Sequence, residues 1–420
     1  MFINAVCGSG STGRIVTGLM DALEEQGVET LAAYGRDTAP LEYNTYRIGS
    51  DLDVYVHGIL SRITDRHGLY SKAATVALID KIREFKPDIL HLHNIHGYYI
   101  NYKLLFDYIR NEYRGRIVWT LHDCWAFTGH CSHFSYIRCD RWRTGCHNCP
   151  QKNEYPRSML MDSSKFNYRL KKELFTGISK LELVTPSEWL LKVAAQSFLG
   201  EYPGQAVPTG IDLNTFKWRR SDIRKKYGVG EKPLILGVAN PWRERKGYSD
   251  FLRLAREMGA DYSFAMIGLR HKDMKGLPQN VIGIGHTDSL QEMVEWYSSA
   301  DIYVNMTKED TFPTANLEAL ACGTPVITYD AGGSPESLND SCGRVVPCGD
   351  IEAVKEAVLE LLGLPMAHMG SSGTPEKALA ASALADENVA YDLQQKCRER
   401  AELYSSKRRF AQYLEKVYRI

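Results

Sequence analysis

Asp310-Thr311-Phe312-Pro313-Thr314-Ala315-Asn316-Leu317-Glu318-Ala319-Leu320-Ala321-Cys322-Gly323-Thr324-Pro325 reads as a loop, a helix and a stop. Thr311 can cap the helix, Pro313 suits its first turn, and Gly323 followed by Pro325 ends it. Apolar runs at 302–304 and 325–328 flank the helix. Strand, helix and strand in that order imply a parallel sheet covered on both faces. The same alternation runs backwards through 234–238, 264–267 and 281–284, which makes five strands in this half of the chain. Free N–H groups of Thr314 and Ala315 point out of the helix N-terminus, where the dipole favours a diphosphate. Glu318 lies one turn further along the same face, placed to accept bonds from ribose hydroxyls.

The first half repeats the design. A strand at 2–6 enters the glycine loop Gly8-Ser9-Gly10-Ser11-Thr12-Gly13-Arg14, and an amphipathic helix follows over 15–26. The runs 87–93, 117–123 and 183–187 are apolar and end in polar groups. A break falls around 207–212. With 420 residues the chain exceeds what one core usually holds. The expected architecture is therefore α/β: two Rossmann-like domains at 1–210 and 211–400, then a helix over 401–420 that packs back on the first. Residues 364–390, rich in Gly, Ala, Ser and Met, read as a mobile insertion. Ligands of such sheets bind beyond the carboxyl ends of the strands. Two facing sheets would place the active site in the cleft between the domains.

Composition narrows the function. Lys+Arg and Asp+Glu balance at 51 each, which speaks against nucleic acid as a partner. No apolar run approaches the roughly 20 residues of a membrane helix, and the first residues lack a basic lead-in to a signal peptide. The expected location is cytoplasmic, with contact at the inner face of the membrane. The glycine loop after the first strand is not GxGxxG with an acidic ribose ligand, so a dinucleotide dehydrogenase fits poorly. Glycine there lets backbone approach a ligand closely, and Gly13 is expected on the donor.

Together with Ala321-Cys322-Gly323-Thr324-Pro325-Val326 and Gly332-Gly333-Ser334-Pro335-Glu336, the segment 310–318 resembles the acid-x7-acid motif of retaining family-four glycosyltransferases, which have the GT-B fold. The resemblance implies that Asp310 contacts the donor sugar and Glu318 the ribose, with Thr311, Phe312, Thr314 and Ala315 around the donor. Asp310 stands where relatives have Glu, and Pro313 where they have Gly. Segment 237–247 resembles the family turn whose Arg and Lys grip the diphosphate. Lys246 matches, whereas Asn240 occupies the usual Arg position, so Arg243 or Arg245 must supply that charge. Cations here would replace a divalent metal in catalysis. The turn Ile284-Gly285-His286-Thr287 resembles the one that holds the base.

His122, ending a buried strand next to Asp123, matches the family histidine that lies against the reacting sugar. His91 and His93 alternate off one strand and share a face, His93 being the one nearer the cleft. Segments 62–71, 93–99 and 120–129 resemble the branch that builds bacterial exopolysaccharide, such as colanic-acid-type transferases. Asp65, His93, Asn94 and Asp123 are expected on the acceptor side. The activity implied is metal-independent, retaining transfer of a hexose-type sugar from a nucleotide diphosphate to a saccharide, lipid-linked in this branch. The competing readings are an epimerase or hydrolase of the same fold and a catalytically silent sugar-binding protein.

Five of the ten cysteines fall between 124 and 149. Cys131-x7-Cys139-x6-Cys146-x2-Cys149 is a four-thiol set suited to structural zinc, with reduced thiols and disulfides as the alternatives. Between 138 and 180 there are ten Lys/Arg against four Asp/Glu. Lys165, Arg169 and Lys172 are spaced for one helical face beside Phe166, which suits either solvent or an anionic bilayer.

Overall fold

The computed structural model describes residues 1–364 and 387–420. It divides into two compact units, Met1–Thr209 with Arg409–Ile420, and Gly210–Arg408.

The first unit holds a seven-stranded, all-parallel sheet in the order β3-β2-β1-β4-β5-β6-β7. Its strands are β1 (Phe2–Asn4), β2 (Ala32–Tyr34), β3 (Thr45–Arg47), β4 (Ile89–Leu92), β5 (Arg116–Thr120), β6 (Leu181–Thr185) and β7 (Gly204–Ala206). Leu90, Leu92, Ile117, Trp119, Leu181 and Leu183 fill one face together with Tyr102, Leu105 and Phe106. The helices that concern the site are α1 (Gly10–Glu24), α2 (Asp51–Thr64), α3 (Lys72–Phe85), α4 (Tyr102–Asn111), α5 (Ser164–Phe175) and α6 (Glu188–Ala195). The C-terminal stretch closes the other face. Tyr413, Val417 and Tyr418 are buried with Val16, Leu19 and Val118. Arg116 donates to the carbonyls of Val417 (2.7 Å) and Tyr418 (3.2 Å).

The second unit holds a six-stranded parallel sheet, β10-β9-β8-β11-β12-β13. Its strands are β8 (Leu234–Val238), β9 (Ser263–Ile267), β10 (Val281–Ile284), β11 (Ile302–Asn305), β12 (Val326–Tyr329) and β13 (Gly343–Val346). Helices α7 (Ile223–Lys226), α8 (Tyr248–Met258), α9 (Leu290–Ser299), α10 (Thr314–Ala321) and α11 (Ile351–Leu361) cover it. Five of these strands lie where the apolar runs predict them. The sixth, β13, carries Arg344 in mid-strand, and that charge hides its pattern. In the first unit β2, β3 and β7 have three residues each, too few for a period of two to show.

The insertion expected at 364–390 lies mostly outside the described residues, and the helix Glu387–Glu402 already begins within its expected end. Among the described residues no helix is long and apolar enough to cross a membrane.

Candidate active site

In each sheet the strand order reverses once, between β8 and β11 in the second unit and between β1 and β4 in the first. Such a switch point opens a crevice at the carboxyl ends of the strands. The expected residues gather at these two places.

In the second unit, the loops that leave β8, β11 and β12 are locked together by two glycines. Gly247 has φ +76°, and a Cβ there would stand 2.3 Å from the Met306 carbonyl oxygen. Gly332 has φ +61°, and a Cβ there would stand 1.9 Å from the Asp310 carbonyl oxygen. Only glycine combines that backbone conformation with so close an approach. Two further bonds tie the loops: Lys308 N donates to Arg245 O (2.8 Å) and Gly333 N to Asp310 O (3.0 Å). The result is a short ladder of charges. Lys246 Nζ donates to Asp310 Oδ2 at 2.6 Å, with both side chains about a quarter exposed or less. Arg245 Nη1 lies 3.9 Å from the buried Glu309. Lys308 pairs with Asp250 at 3.0 Å.

Of the two arginines that could replace the family residue, Arg245 stands in this ladder. Arg243 is exposed at the head of the turn Glu244–Lys246, its carbonyl accepting from Lys246 N (2.9 Å).

Helix α10 starts at Thr314, and its cap is Pro313, which has no side chain to offer. The expected cap, Thr311, is buried instead, because Asp310 Oδ1 accepts from Phe312 N (3.2 Å) and turns the loop before the helix starts. The first N–H groups of α10 are therefore left without a side-chain cap, as an anion site requires. Phe312, expected on the donor, sends its ring into the core against Tyr404 (5.7 Å between centroids). Glu318 is half-buried and accepts from the Tyr297 hydroxyl at 2.9 Å. Burial first, and then the Glu318 charge, hold the Tyr297 hydroxyl well above its ordinary pKa, so it stays a donor. Nothing in the spacing of 310–318 points to Tyr297, which comes from α9. The turn Ile284–Thr287 lies at the carboxyl end of β10, with His286 exposed.

In the first unit, His93 and His122 leave β4 and β5 side by side. Their rings stack at 5.3 Å, with His93 Nδ1 3.0 Å from His122 Nε2. His93 Nε2 is buried without a hydrogen-bond partner. Burial brings the His122 imidazole down to about 4 and His93 well below its ordinary value, so both are neutral near pH 7. His91 faces the same way but is satisfied by the Tyr418 hydroxyl (2.6 Å) and Thr120 Oγ1 (2.7 Å), which makes it structural. Asp123 lies 3.1 Å from His96 Nε2 and accepts from Trp125 N (2.8 Å). Burial pushes its carboxyl up, but His96, His133 and the Trp125 amide outweigh that and hold it at about 2.

Asn94 is partly exposed. Its N–H donates to Asn4 Oδ1 (3.2 Å) and its carbonyl accepts from Tyr99 (2.8 Å). Asp65 is not open to a ligand. It is buried at the end of α2, pairs with His130 and accepts from Ser163 N (2.8 Å), so it braces the loops. Gly13 is buried in the first turn of α1, its carbonyl accepting from Gly8 N (3.1 Å).

Cys131, Cys139, Cys146 and Cys149 converge on one small cavity with His130, Phe134 and Trp142. All four are free thiols. Cys131 and Cys149 are hydrogen-bonded to each other. Among the described residues, no three His, Cys, Asp or Glu side chains are grouped to hold a metal ion. The four-thiolate cage expected from the spacing is thus not formed by the side chains as they stand. The loop is braced by other means. Lys171, buried, donates to the carbonyls of Trp125 (2.7 Å) and Thr128 (3.1 Å), with its ammonium 3.4 Å from the Trp125 ring centroid. Lys165, Phe166, Arg169 and Lys172 are exposed along α5.

Two parallel-sheet, Rossmann-like units, each with one switch point in its strand order, define a protein of the GT-B class. Residues 12–214 match the family model "Glycosyltransferase Family 4", and residues 219–373 match "Glycosyl transferases group 1". The chain belongs to this family of glycosyltransferases.

Among its relatives is the putative colanic acid biosynthesis glycosyl transferase WcaC of Escherichia coli (strain K12), 27% identical over 285 residues that cover 66% of this chain and 67% of that one. A GDP-mannose-dependent phosphatidylinositol monomannoside mannosyltransferase of Corynebacterium glutamicum is 26% identical, over 42% of this chain and about half (52%) of its own length. The fold is that of sucrose-phosphate synthase from Thermosynechococcus elongatus (TM-score 0.66, 15% identity, 100% and 97% of the two chains). It is also that of Anabaena HepE in complex with UDP-glucose (TM-score 0.62, 14% identity, 100% of both chains).

Proposed function

We propose that the chain transfers a hexose-type sugar, with retention, from a nucleoside diphosphate to a saccharide on a lipid carrier. Its place would be the synthesis of bacterial surface polysaccharide at the inner face of the membrane. The observation that carries this reading is the Lys246–Asp310 pair beside the side-chain-uncapped start of α10, with Glu318 held one turn on by Tyr297. The diphosphate sits at the helix N-terminus, Lys246 offsets the charge that grows as it leaves, and Glu318 takes the ribose hydroxyls. Asp310, oriented by Lys246, accepts from sugar hydroxyls.

The bond from the sugar's anomeric carbon to the diphosphate breaks, and a bond from the same face to the acceptor oxygen forms. The acceptor proton passes to the departing phosphate. No catalytic metal is called for. Neutral His93 and His122 present hydrogen-bonding groups without a charge, and the unpartnered His93 Nε2 suits a sugar hydroxyl. The names of the relatives support both the class of donor and a polysaccharide or glycolipid product.

Zinc at the four thiols belongs to the same proposal. Their convergence on one cavity is the observation that supports it. Elemental analysis of protein purified without a His tag should give about one zinc per chain. A content near zero with all four thiols titratable leaves reduced thiols.

The test of the activity is a thermal-shift screen against UDP-, GDP- and ADP-sugars, then product analysis with the stabilising donor. A lengthened saccharide with the donor's anomeric configuration is the expected product. An altered donor would make the protein an epimerase, and a donor bound but unchanged would make it a binding protein.

A further inference from the structure

We propose that the outer face of α2, with the loop 159–161 and Phe166, seats this protein on an anionic bilayer. The proposal rests on the reading of a lipid-linked acceptor and names the surface that reading needs.

Helix α2 opens with a capping box, Asp53 N donating to Ser50 Oγ (3.2 Å) and Ser50 N to Asp53 Oδ2 (2.8 Å). Its outward residues are not those of a solvated helix. Leu52, Tyr55, Val56, Ile59 and Ile63 are all exposed, from 38% at Ile59 to 69% at Leu52. At about 100° per residue they fall within an arc of about 100°, a continuous apolar stripe along the helix. The stripe continues into a second element. Met159 N donates to Arg62 O (2.6 Å) and Met161 N to Ile63 O (3.1 Å), which lays the exposed Met159, Leu160 and Met161 against the end of α2. Phe166 follows, also exposed, with the Arg66 guanidinium 4.8 Å above its ring. Single exposed apolar residues are ordinary, but a contiguous field of nine calls for an occupant.

Charge selects the occupant. Arg62, Arg66, Arg157, Lys165 and Arg169 are exposed around the field. The acids beside the field are already engaged. At the start of α2, Asp51 pairs with Arg47 and Asp53 is held by Ser50 in the capping box. Asp162 is bonded by Ser164 and by Cys149 N (2.6 Å). An apolar stripe with a basic border fits acyl chains beneath anionic headgroups. A second copy fits less well, because a two-fold contact would set the basic border against itself.

The inner face of α2 ties this surface to the acceptor half of the site. His57, buried, contacts Ser71 Oγ (2.8 Å) and accepts from Gly68 N (3.1 Å), edge-on to Tyr70 and Tyr98. Tyr98 in turn packs on His67 (4.7 Å), and His67 on His96, the neighbour of Asp123. A helix resting on the bilayer would thus hold the acceptor wall at headgroup level.

Vesicle co-sedimentation of the full chain, without donor or acceptor, tests this. Wild type should pellet with phosphatidylglycerol–phosphatidylethanolamine vesicles and much less with phosphatidylcholine. The triple variant Leu52→Ser, Tyr55→Ser, Leu160→Ser should bind about tenfold more weakly or worse, with an unchanged melting temperature. Arg157→Glu with Lys165→Glu, a surface change that leaves every apolar residue in place, should remove the preference for anionic lipid. The surface is not a bilayer seat if wild type stays in the supernatant, or if both variants pellet like wild type. The same holds if sedimentation equilibrium shows a dimer that the triple variant abolishes, since the face then belongs to a second copy. Failure of the transferase reading shows elsewhere, as absent turnover of a water-soluble saccharide acceptor. Where that turnover exists, the triple variant should leave it unchanged.

Discussion

The two crevices are built from opposite materials. In the second unit the crevice is lined by charges in pairs: Lys246 with Asp310, Arg245 with Glu309, Lys308 with Asp250. In the first unit rings gather instead: neutral His93 on His122, and His67 against His96, Tyr98 and Trp125. Nine of the twelve histidines lie in that first unit, and burial keeps His57, His67, His91, His93 and His122 below their ordinary pKa. A diphosphate needs opposing charge that is already in place. A sugar hydroxyl needs donors and acceptors that hold their place without carrying charge. The difference fits the proposed assignment of the donor to one unit and the acceptor to the other.

The sharpest way to break that assignment is to remove the cation. Lys246→Ala should lower kcat by about 10²–10³-fold, the usual cost of losing one preorganised group that stabilises a leaving charge. A loss confined to acceptor KM would place Lys246 on the wrong substrate. Glu318→Ala should weaken nucleoside diphosphate binding by about 10- to 100-fold, since a charged hydrogen bond contributes about 1.5–3 kcal/mol. Isothermal calorimetry reads this directly. Asp310→Asn should spare that binding and depress turnover; if both variants behave alike, the division between ribose and sugar contacts fails.

Acid should separate the units next. The neutral histidines refuse protons that the unfolded chain accepts below about 6.5, so stability is lost as pH falls from about 6.5 to about 4. His130, raised by Asp65 against its burial, works in the other direction. Asp123, held at about 2, contributes its loss only below this window. Calorimetry should show the first unit's melting temperature falling by about 5 °C or more across that window. A flat profile means that the rings are not held neutral. The smallest expected effect is that of EDTA, which should leave turnover unchanged when assayed with and without Mg²⁺ or Mn²⁺. Strict dependence on either ion would overturn the metal-free reading.

How legible each half was follows from the same contrast. The acids Asp310 and Glu318, and the helix between them, are contiguous, so their spacing could be read before any folding was known. The strands near them are long enough to show their apolar period, whereas β2, β3 and β7 are not. Asp65 sat in a polar, family-like segment and was expected at the acceptor, yet it is a buried brace for His130 and Ser163. Phe312 sits inside the donor motif and turns into the core.

What the sequence determined by itself was local and periodic. The βα alternation, the two Rossmann-like units, the stop of α10 and the acid spacing depend on neighbours along the chain, and residues a few positions apart report them. What only the tertiary structure decided is which distant side chains meet. Tyr297 reaches Glu318 from another helix, Arg245 comes to 3.9 Å from Glu309 across two loops, and His91 is taken by Tyr418 more than three hundred residues away. The exposed apolar face of α2 belongs to the same class. A helix with a hydrophobic stripe reads as one that buries it, and only the packed chain shows that the buried side is the one carrying His57, Gly58 and Ser61. Burial and partnership are properties of the assembled fold, and no spacing along the chain encodes them.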